Sequence, residues 1–462
     1  MTVTHDRSDQ ATRDNAPAAD SGMDARFCDD FVWGVASSAA QTESRRGRGY
    51  SNWDALCDER GVVHDGSTNR LCTQFEDRYP EDLALLGDAG VKAFRFSIAW
   101  PRIQPEGPGP AAAEGLAFYD RLVDAMLERG ITPWPTLFHW DVPAWAGDFR
   151  NRDISQRLAD YAEIVAGKLG DRIQQWIVLN EPNSVALRGY ASQVHAPALN
   201  SADAAFAAIH HQNLAQGLVF QRLRAMLAGQ ARIGTTVNLQ PVRGEAGRVK
   251  HEAAAQLVDA LWNRAFVDPL YGKGYPQPVD KLVSPFVVDG DMELIDVRPD
   301  FLGMNYYSRI YVRQAPGESL GIAQGEPPAN LPRTAYFHVE PEGLDEMLLR
   351  LHREYDAPDI YVTETGFAMA DPQPRNGVVE DPERIAHLAS YLKTAQAAHA
   401  QGVRLKGLFY WSATDNWEWA QGFAKRFGLI HVDRQTLART PKRSLDYFAR
   451  CIRHNAALDA PS

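Results

Sequence analysis

The chain is poor in cysteine, short of basic charge and without any long apolar run, and each shortage removes a class of function. Four cysteines in 462 residues (Cys28, Cys57, Cys72 and Cys451) form no C-x-x-C pair and no metal-ligand spacing. This excludes a disulfide scaffold or a zinc module and leaves reduced thiols in a cytoplasmic protein as the expectation. The absence of any N-x-S/T acceptor points the same way. Lys and Arg number 48 against 59 Asp and Glu, a formal charge of −11, which argues against nucleic acid and anionic membranes as partners. No apolar stretch approaches the roughly 20 residues of a membrane helix. Residues 1–26 hold five Asp and three Arg but no Leu, Ile or aromatic residue. They lack the apolar centre of a signal peptide and read as a disordered tail. Nucleotide and metal-hydrolase signatures are missing too. There is no Walker motif and no H-E-x-x-H, and Gly47-x-Gly49 and Gly272-x-Gly274 lack the strand-to-helix setting of a phosphate loop. No cofactor and no metal are expected.

What is present is apolar and aromatic: 45% of residues are hydrophobic, with 11 Trp and 16 Tyr. Some of these rings must be core, as Trp176 is expected to be, but aromatic faces also stack on the C–H faces of sugars. From Asp29 onward, short β-branched or aromatic runs alternate with longer amphipathic segments, the pattern of βα units around a parallel sheet. Eight strands are expected: Phe31–Ala36, Val91–Ser97, Thr132–Phe138, Gln174–Asn180, Arg232–Asn238, Asp300–Asn305, Asp359–Thr363 and Leu405–Trp411. Helical patterns lie between them, for example Ser155–Leu169, Ala204–Leu227 and Pro382–Gln401. Eight βα steps make an α/β fold of the (β/α)8 TIM-barrel type, a single domain spanning residues 27–455 with long βα loops. The Pro/Gly-rich segments Gln104–Pro110 and Gln314–Pro332 are expected as loops over the barrel mouth.

Catalytic groups of such barrels gather at the C-terminal strand ends. There the sequence offers Gln41 and Glu43 after strand one and Arg95 in strand two. Strand three runs into His139-Trp140-Asp141, strand four into Asn180-Glu181-Pro182, and strand five ends on Asn238. Strand six gives Asn305-Tyr306-Tyr307, strand seven Glu364, and strand eight Trp411, with Glu418-Trp419 shortly beyond. Either glutamate alone would be an ordinary loop acid, and the His210-His211 pair in a helical pattern is a core feature. Carboxylates, amides and aromatics at nearly every strand end form a sugar-binding set. Two carboxyls facing each other across a barrel mouth suit retaining glycoside hydrolysis, which needs them about 5–5.5 Å apart. One attacks the anomeric carbon and the other protonates the leaving oxygen, so their pKa values must differ. Arg95 and Tyr307 are placed to hold one carboxylate ionised.

At these residues the chain resembles glycoside hydrolase family 1, the β-glucosidase family. The matching blocks are Phe31-Val-Trp-Gly-Val-Ala-Ser-Ser-Ala-Ala-Gln41-Thr-Glu43, Arg95-Phe-Ser-Ile-Ala-Trp-Pro-Arg102-Ile and Thr136-Leu-Phe-His139-Trp140-Asp-Val-Pro143. Leu179-Asn180-Glu181-Pro182, Asn305-Tyr-Tyr307, Thr363-Glu364-Thr365-Gly366 and Trp411-Ser-Ala-Thr-Asp-Asn-Trp-Glu418-Trp419 follow in order. The tail blocks are Lys425-Arg-Phe427-Gly-Leu-Ile-His-Val-Asp433 and Arg439-Thr-Pro-Lys442. The resemblance implies Glu181 as acid/base and Glu364 as nucleophile. It places Gln41, His139, Trp140, Asn180, Tyr307, Trp411, Glu418 and Trp419 around the sugar, with Arg95, Asn305 and Tyr307 supporting the nucleophile and Asn238 and Phe427 nearby. An anionic Glu418 on the sugar's 4- and 6-hydroxyls would repel a 6-phosphate, so the implied substrate is a non-phosphorylated β-glycoside or short oligosaccharide. The family's nucleophile motif reads Glu-Asn-Gly, and Thr365 breaks it. Gln421 replaces a usual acid, Trp417 a usual Phe, and Phe75-Glu76-Asp77 a usual aromatic/histidine run. These departures point to a specialised substrate. A transglycosidase of the same family, or a sugar-binding barrel without catalysis, are the alternatives. Oligomeric state is not legible in the sequence.

Overall fold

The computed structural model of the chain describes residues 26–245 and 251–461. The expected disordered tail therefore lies, but for Arg26, outside the described residues. Eight parallel strands close into a barrel: β1 (Val32–Ala36), β2 (Ala93–Ser97), β3 (Thr132–Phe138), β4 (Gln175–Asn180), β5 (Arg232–Asn238), β6 (Phe301–Asn305), β7 (Ile360–Thr365) and β8 (Leu405–Trp411). Each pairs with its sequence neighbours and β8 returns to β1, with Val32 opposite Gly407 and Ala36 opposite Trp411. Runs such as Trp-Ile-Val-Leu in β4 are buried on both faces, as parallel strands sheathed by helices require. Helices Asp153–Leu169, Ala202–Leu227 and Pro382–Ala400 fall within two residues of their expected bounds. The strand bounds differ by two residues at the start of β2 and at the end of β7, which continues through Glu364 to Thr365.

Large rings fill the barrel interior below the mouth. Trp134 of β3 meets Tyr361, Phe409 and Phe301 edge-on, at centroid distances of 4.8, 5.0 and 5.4 Å. Gly34 and Gly234 make room for them: a Cβ there would fall 2.3 Å from the Phe409 and Phe301 rings, respectively. Burying each ring contributes roughly 2–3 kcal/mol.

Of the two segments expected as loops, Gln104–Pro110 is irregular and packs on Gly49, whose added Cβ would strike Pro105. Gln314–Pro332 is not simply a loop. Its Ile322–Gln324 pairs antiparallel with Ile310–Gln314, which pairs in turn with Val242–Gly244. Val312, Ile310 and Ile322 bury against Val242 and Val258, and that small apolar cluster makes the extra sheet worth forming.

Candidate active site

The end of β7 places Glu364. Its register against both neighbours shifts, with Val362 opposite Met304 and Glu364 opposite Asn305. An irregularity of this kind re-aims a side chain. Glu364 is buried in contact with Arg95 of β2 through Oε1, and Tyr307 donates its hydroxyl to Oε2 over 2.8 Å. Burial pushes the Glu364 carboxyl up to about 7; Arg95 and Tyr307 pull it down, while the nearby charge of Glu181 adds to the rise.

Glu181 follows β4 in the left-handed region, with φ 47° and ψ 58°. Pro182 disfavours the right-handed helical region for the residue before it. The strain, of order 1–2 kcal/mol, is held by the Glu181 N–H on the Thr236 carbonyl at 2.9 Å and by the Val185 N–H on the Glu181 carbonyl at 3.1 Å. The carboxylate accepts from Ser184 Oγ at 2.6 Å and from Asn305 Nδ2 at 2.7 Å.

One hydrogen-bonded chain joins the two acids. Arg95 donates to Asn180 Oδ1 at 2.5 Å as well as to Glu364, and Asn305 Nδ2 lies 3.0 Å from the same Asn180 oxygen while also reaching Glu181. Asn180 Nδ2 is 3.0 Å from His139 Nε2. Burial and the Arg95 charge hold the His139 imidazole well below its usual range, so it stays neutral and Nε2 is free to accept. Asn305 thus departs from the expected role: its amide nitrogen serves Glu181 and Asn180, not Glu364. The cause is Thr363, whose hydroxyl occupies Asn305 Oδ1 at 2.8 Å and turns the amide nitrogen toward β4.

Above the acids lies a pocket lined by His139, Trp140, Asn180, Glu181, Asn238, Tyr307, Glu364, Trp411, Glu418, Trp419 and Phe427. Trp419 packs between Trp140 and Trp53, at 4.5 and 4.4 Å, and His139 stacks on Trp411 at 5.9 Å. Trp140 and Trp419 also carry positive φ, 79° and 48°, so the aromatic wall is held in place at some backbone cost.

Gln41 is not in that lining. It is fully buried, and its amide nitrogen is committed to Asn416 Oδ1, the Trp417 carbonyl and Glu418 Oε2 at 3.1, 2.9 and 3.0 Å. It positions Glu418. Glu418 itself differs from the anion expected: burial first, and then the charges of Glu364 and Glu181, push its carboxyl up to about 8 against the donors Gln41 and Trp411. Glu43, also read off strand one, serves structure instead, between Arg102 at 2.7 Å and Tyr119 at 2.7 Å.

Several lining residues escaped the sequence reading: Ser184, Arg188, His195, Gln240, Tyr336 and Phe337. Ser184 alone left a trace, three residues after Glu181 on the turn that Pro182 starts. Phe337 stacks on Tyr307 at 4.9 Å from deep within the loop after β6, where no strand end marks it.

The model of Glycosyl hydrolase family 1 matches residues 23–457. The thermostable β-glucosidase B of Thermobispora bispora is 39% identical, the match covering 96% of this chain and 93% of that protein. The bifunctional β-D-glucosidase/β-D-fucosidase of Bifidobacterium breve is 38% identical over 92% of this chain and 98% of its own length. The crystal structure of the psychrophilic β-glucosidase of Micrococcus antarcticus superposes with a TM-score of 0.87 at 39% identity, over 92% of this chain and 97% of that one. With the family model spanning nearly the whole chain, this protein belongs to glycosyl hydrolase family 1.

Proposed function

We propose that this protein is a retaining β-glycosidase that removes a terminal β-D-sugar, glucose above all, from a small-molecule glycoside or short oligosaccharide. The observation that carries the reading is the pair of buried carboxyls, Glu181 and Glu364, joined through Asn305, Asn180 and Arg95 at the base of an aromatic-walled cavity. Glu364 attacks the anomeric carbon as the glycosidic C–O bond breaks, and Glu181 gives its proton to the departing oxygen. Water then adds to the same carbon, releasing Glu364, and its proton passes to Glu181. Two inversions restore the starting configuration. Trp411, Trp419 and Trp140 offer faces to the sugar, while His139, Asn180 and Glu418 offer hydrogen bonds. Relatives named β-glucosidases, one of them also a β-fucosidase, support glucose as the glycone and leave room for fucose.

Among the described residues no helix is long and apolar enough to cross a membrane. The four free thiols support a cytoplasmic location. The decisive experiment follows early product from an aryl β-glucoside by proton NMR. The β-anomer should come first; an α-anomer first would overturn the assignment of Glu364 as nucleophile.

A further inference from the structure

A second cavity, of about 520 Å³, opens beside the first and shares with it Arg188, Gln240, Tyr336 and Phe337. Its walls come from the small three-stranded sheet and the segment facing it: Leu187, Val258, Leu261, Leu320 and Ile322 supply apolar surface. A sugar seated over Glu181 and Glu364 with its anomeric oxygen toward the shared residues sends its leaving group into this space.

Every charged side chain lining the cavity is a cation: Arg188, Arg309 and Arg333. Among the described residues no Asp or Glu lines it, although acids outnumber bases in the chain, 59 to 48. Arg188 meets no carboxylate among the described residues; its guanidinium lies 5.6 Å from the Trp262 ring and beside the Tyr336 hydroxyl. Arg333, at the rim, forms no ion pair among the described residues either. Arg309 is neutralised by Glu340 and Glu346, at 3.2 and 3.3 Å, but its Nε has no partner among the described residues. Trp262 is 6% exposed, and among the described residues its Nε1 is likewise a buried donor without a partner, as the Gln240 Oε1 acceptor is. Glu326 is felt by His338 across the cavity wall but does not line the space.

Buried donors left unmatched are costly, and guanidinium groups facing apolar walls are where an anion is held most strongly. We propose that the second cavity receives a large, mainly apolar aglycone bearing an anionic group, so that the preferred substrate is an acidic aryl or polycyclic β-glycoside. The proposal rests on the glycosidase reading above and adds to it the chemistry of the leaving group. Arg188 and Arg333 hold the charge, and Trp262 and Leu261 cover the ring system.

The test compares two β-glucosides of one biphenyl phenol, one carrying a distal carboxylate and the other its neutral carboxamide, with nitrophenyl β-glucoside as a third substrate. For the native enzyme at low salt, kcat/KM for the acid should exceed that for the amide about tenfold. The ratio should fall toward one as salt screens the charge. Arg188→Gln with Arg333→Gln should bring the ratio near one; both enzymes meet the same two phenols, so intrinsic leaving-group differences cancel. A native ratio of one or below, or a ratio untouched by salt, overturns the proposal even if the variant does not fold. Cleavage of the nitrophenyl glucoside with such a ratio overturns this proposal alone. No cleavage of any β-glycoside overturns the glycosidase reading together with it.

Discussion

The Tyr307 hydroxyl stands 2.8 Å from Glu364 Oε2 while Arg95 holds the other oxygen, so both oxygens of the proposed nucleophile are bonded before substrate arrives. Both bonds favour the anion, and burial opposes them strongly enough to leave the carboxyl at about 7. Attack requires the ionised form, so kcat/KM should fall as pH drops through that region. Tyr307→Phe removes one donor to a charged acceptor, which favours the protonated form. The acid limb of the kcat/KM profile should then move up by about one pH unit. An acid limb that stayed put, or moved down, would show that Tyr307 does not stabilise the anion.

Glu418 gives a stability prediction of definite sign. Its folded pKa is about 8 against an ordinary value of 4.5. Between those values the folded protein holds a proton that the unfolded chain has lost, so this group's contribution is present below about 4.5 and is lost as pH rises to 8. Glu418→Gln stays neutral throughout. It should match the wild type near pH 4.5 and exceed it by roughly 2–4 kcal/mol at pH 8.5, while binding of the sugar weakens. Denaturant melts at both pH values check this; a variant less stable than wild type at pH 8.5 would contradict it.

The two glutamates should part company on substitution. Glu364→Ala removes the group that forms the covalent bond and should lose orders of magnitude on every substrate. Glu181→Ala should still release dinitrophenol in a burst, because that leaving group needs little protonation. Added azide should then speed turnover and yield a β-glycosyl azide. Azide rescue of Glu364→Ala with retained configuration would reverse the roles.

The barrel was legible because buried parallel strands write themselves as β-branched and aromatic runs, and the strand ends delivered Glu181, Glu364, His139 and Trp411 directly. The way those groups are wired was less legible. Asn305 lies beside both acids, and only the claim of the Thr363 hydroxyl on Oδ1 decides that its amide nitrogen turns to Glu181. Gln41 carries the chemistry of a sugar ligand, but the fold spends its amide nitrogen on Asn416, Trp417 and Glu418. Tyr336 and Phe337 reach the cavity from a long loop, where a residue's distance along the chain from a strand end says little about its distance in space. Trp53 reads as one more core ring, and only the fold shows it backing Trp419 at 4.4 Å.

Thr365 is the remaining departure at the reaction centre. Nearby, Phe367 lies 5.3 Å from the His387 ring, and Trp417 lies 5.9 Å from Trp53 and 6.0 Å from Trp419. Thr365 is fully buried, and its Oγ1 has no hydrogen-bond partner among the described residues. A buried hydroxyl left unmatched costs about 1–3 kcal/mol. Valine keeps the β-branched shape and removes the hydroxyl, so Thr365→Val should raise stability by about 1 kcal/mol with kcat on simple aryl glucosides unchanged. Thr365→Asn must fit a longer amide into the same space, next to a nucleophile whose displacement by about 1 Å can cost about 100-fold. If Thr365 is tuned to the native substrate, that variant changes the ratio of kcat/KM between a bulky and a simple aryl glucoside. Equal ratios across a panel, together with a destabilised Thr365→Val, would mean that the hydroxyl is matched in solution and that the position drifted without consequence for specificity.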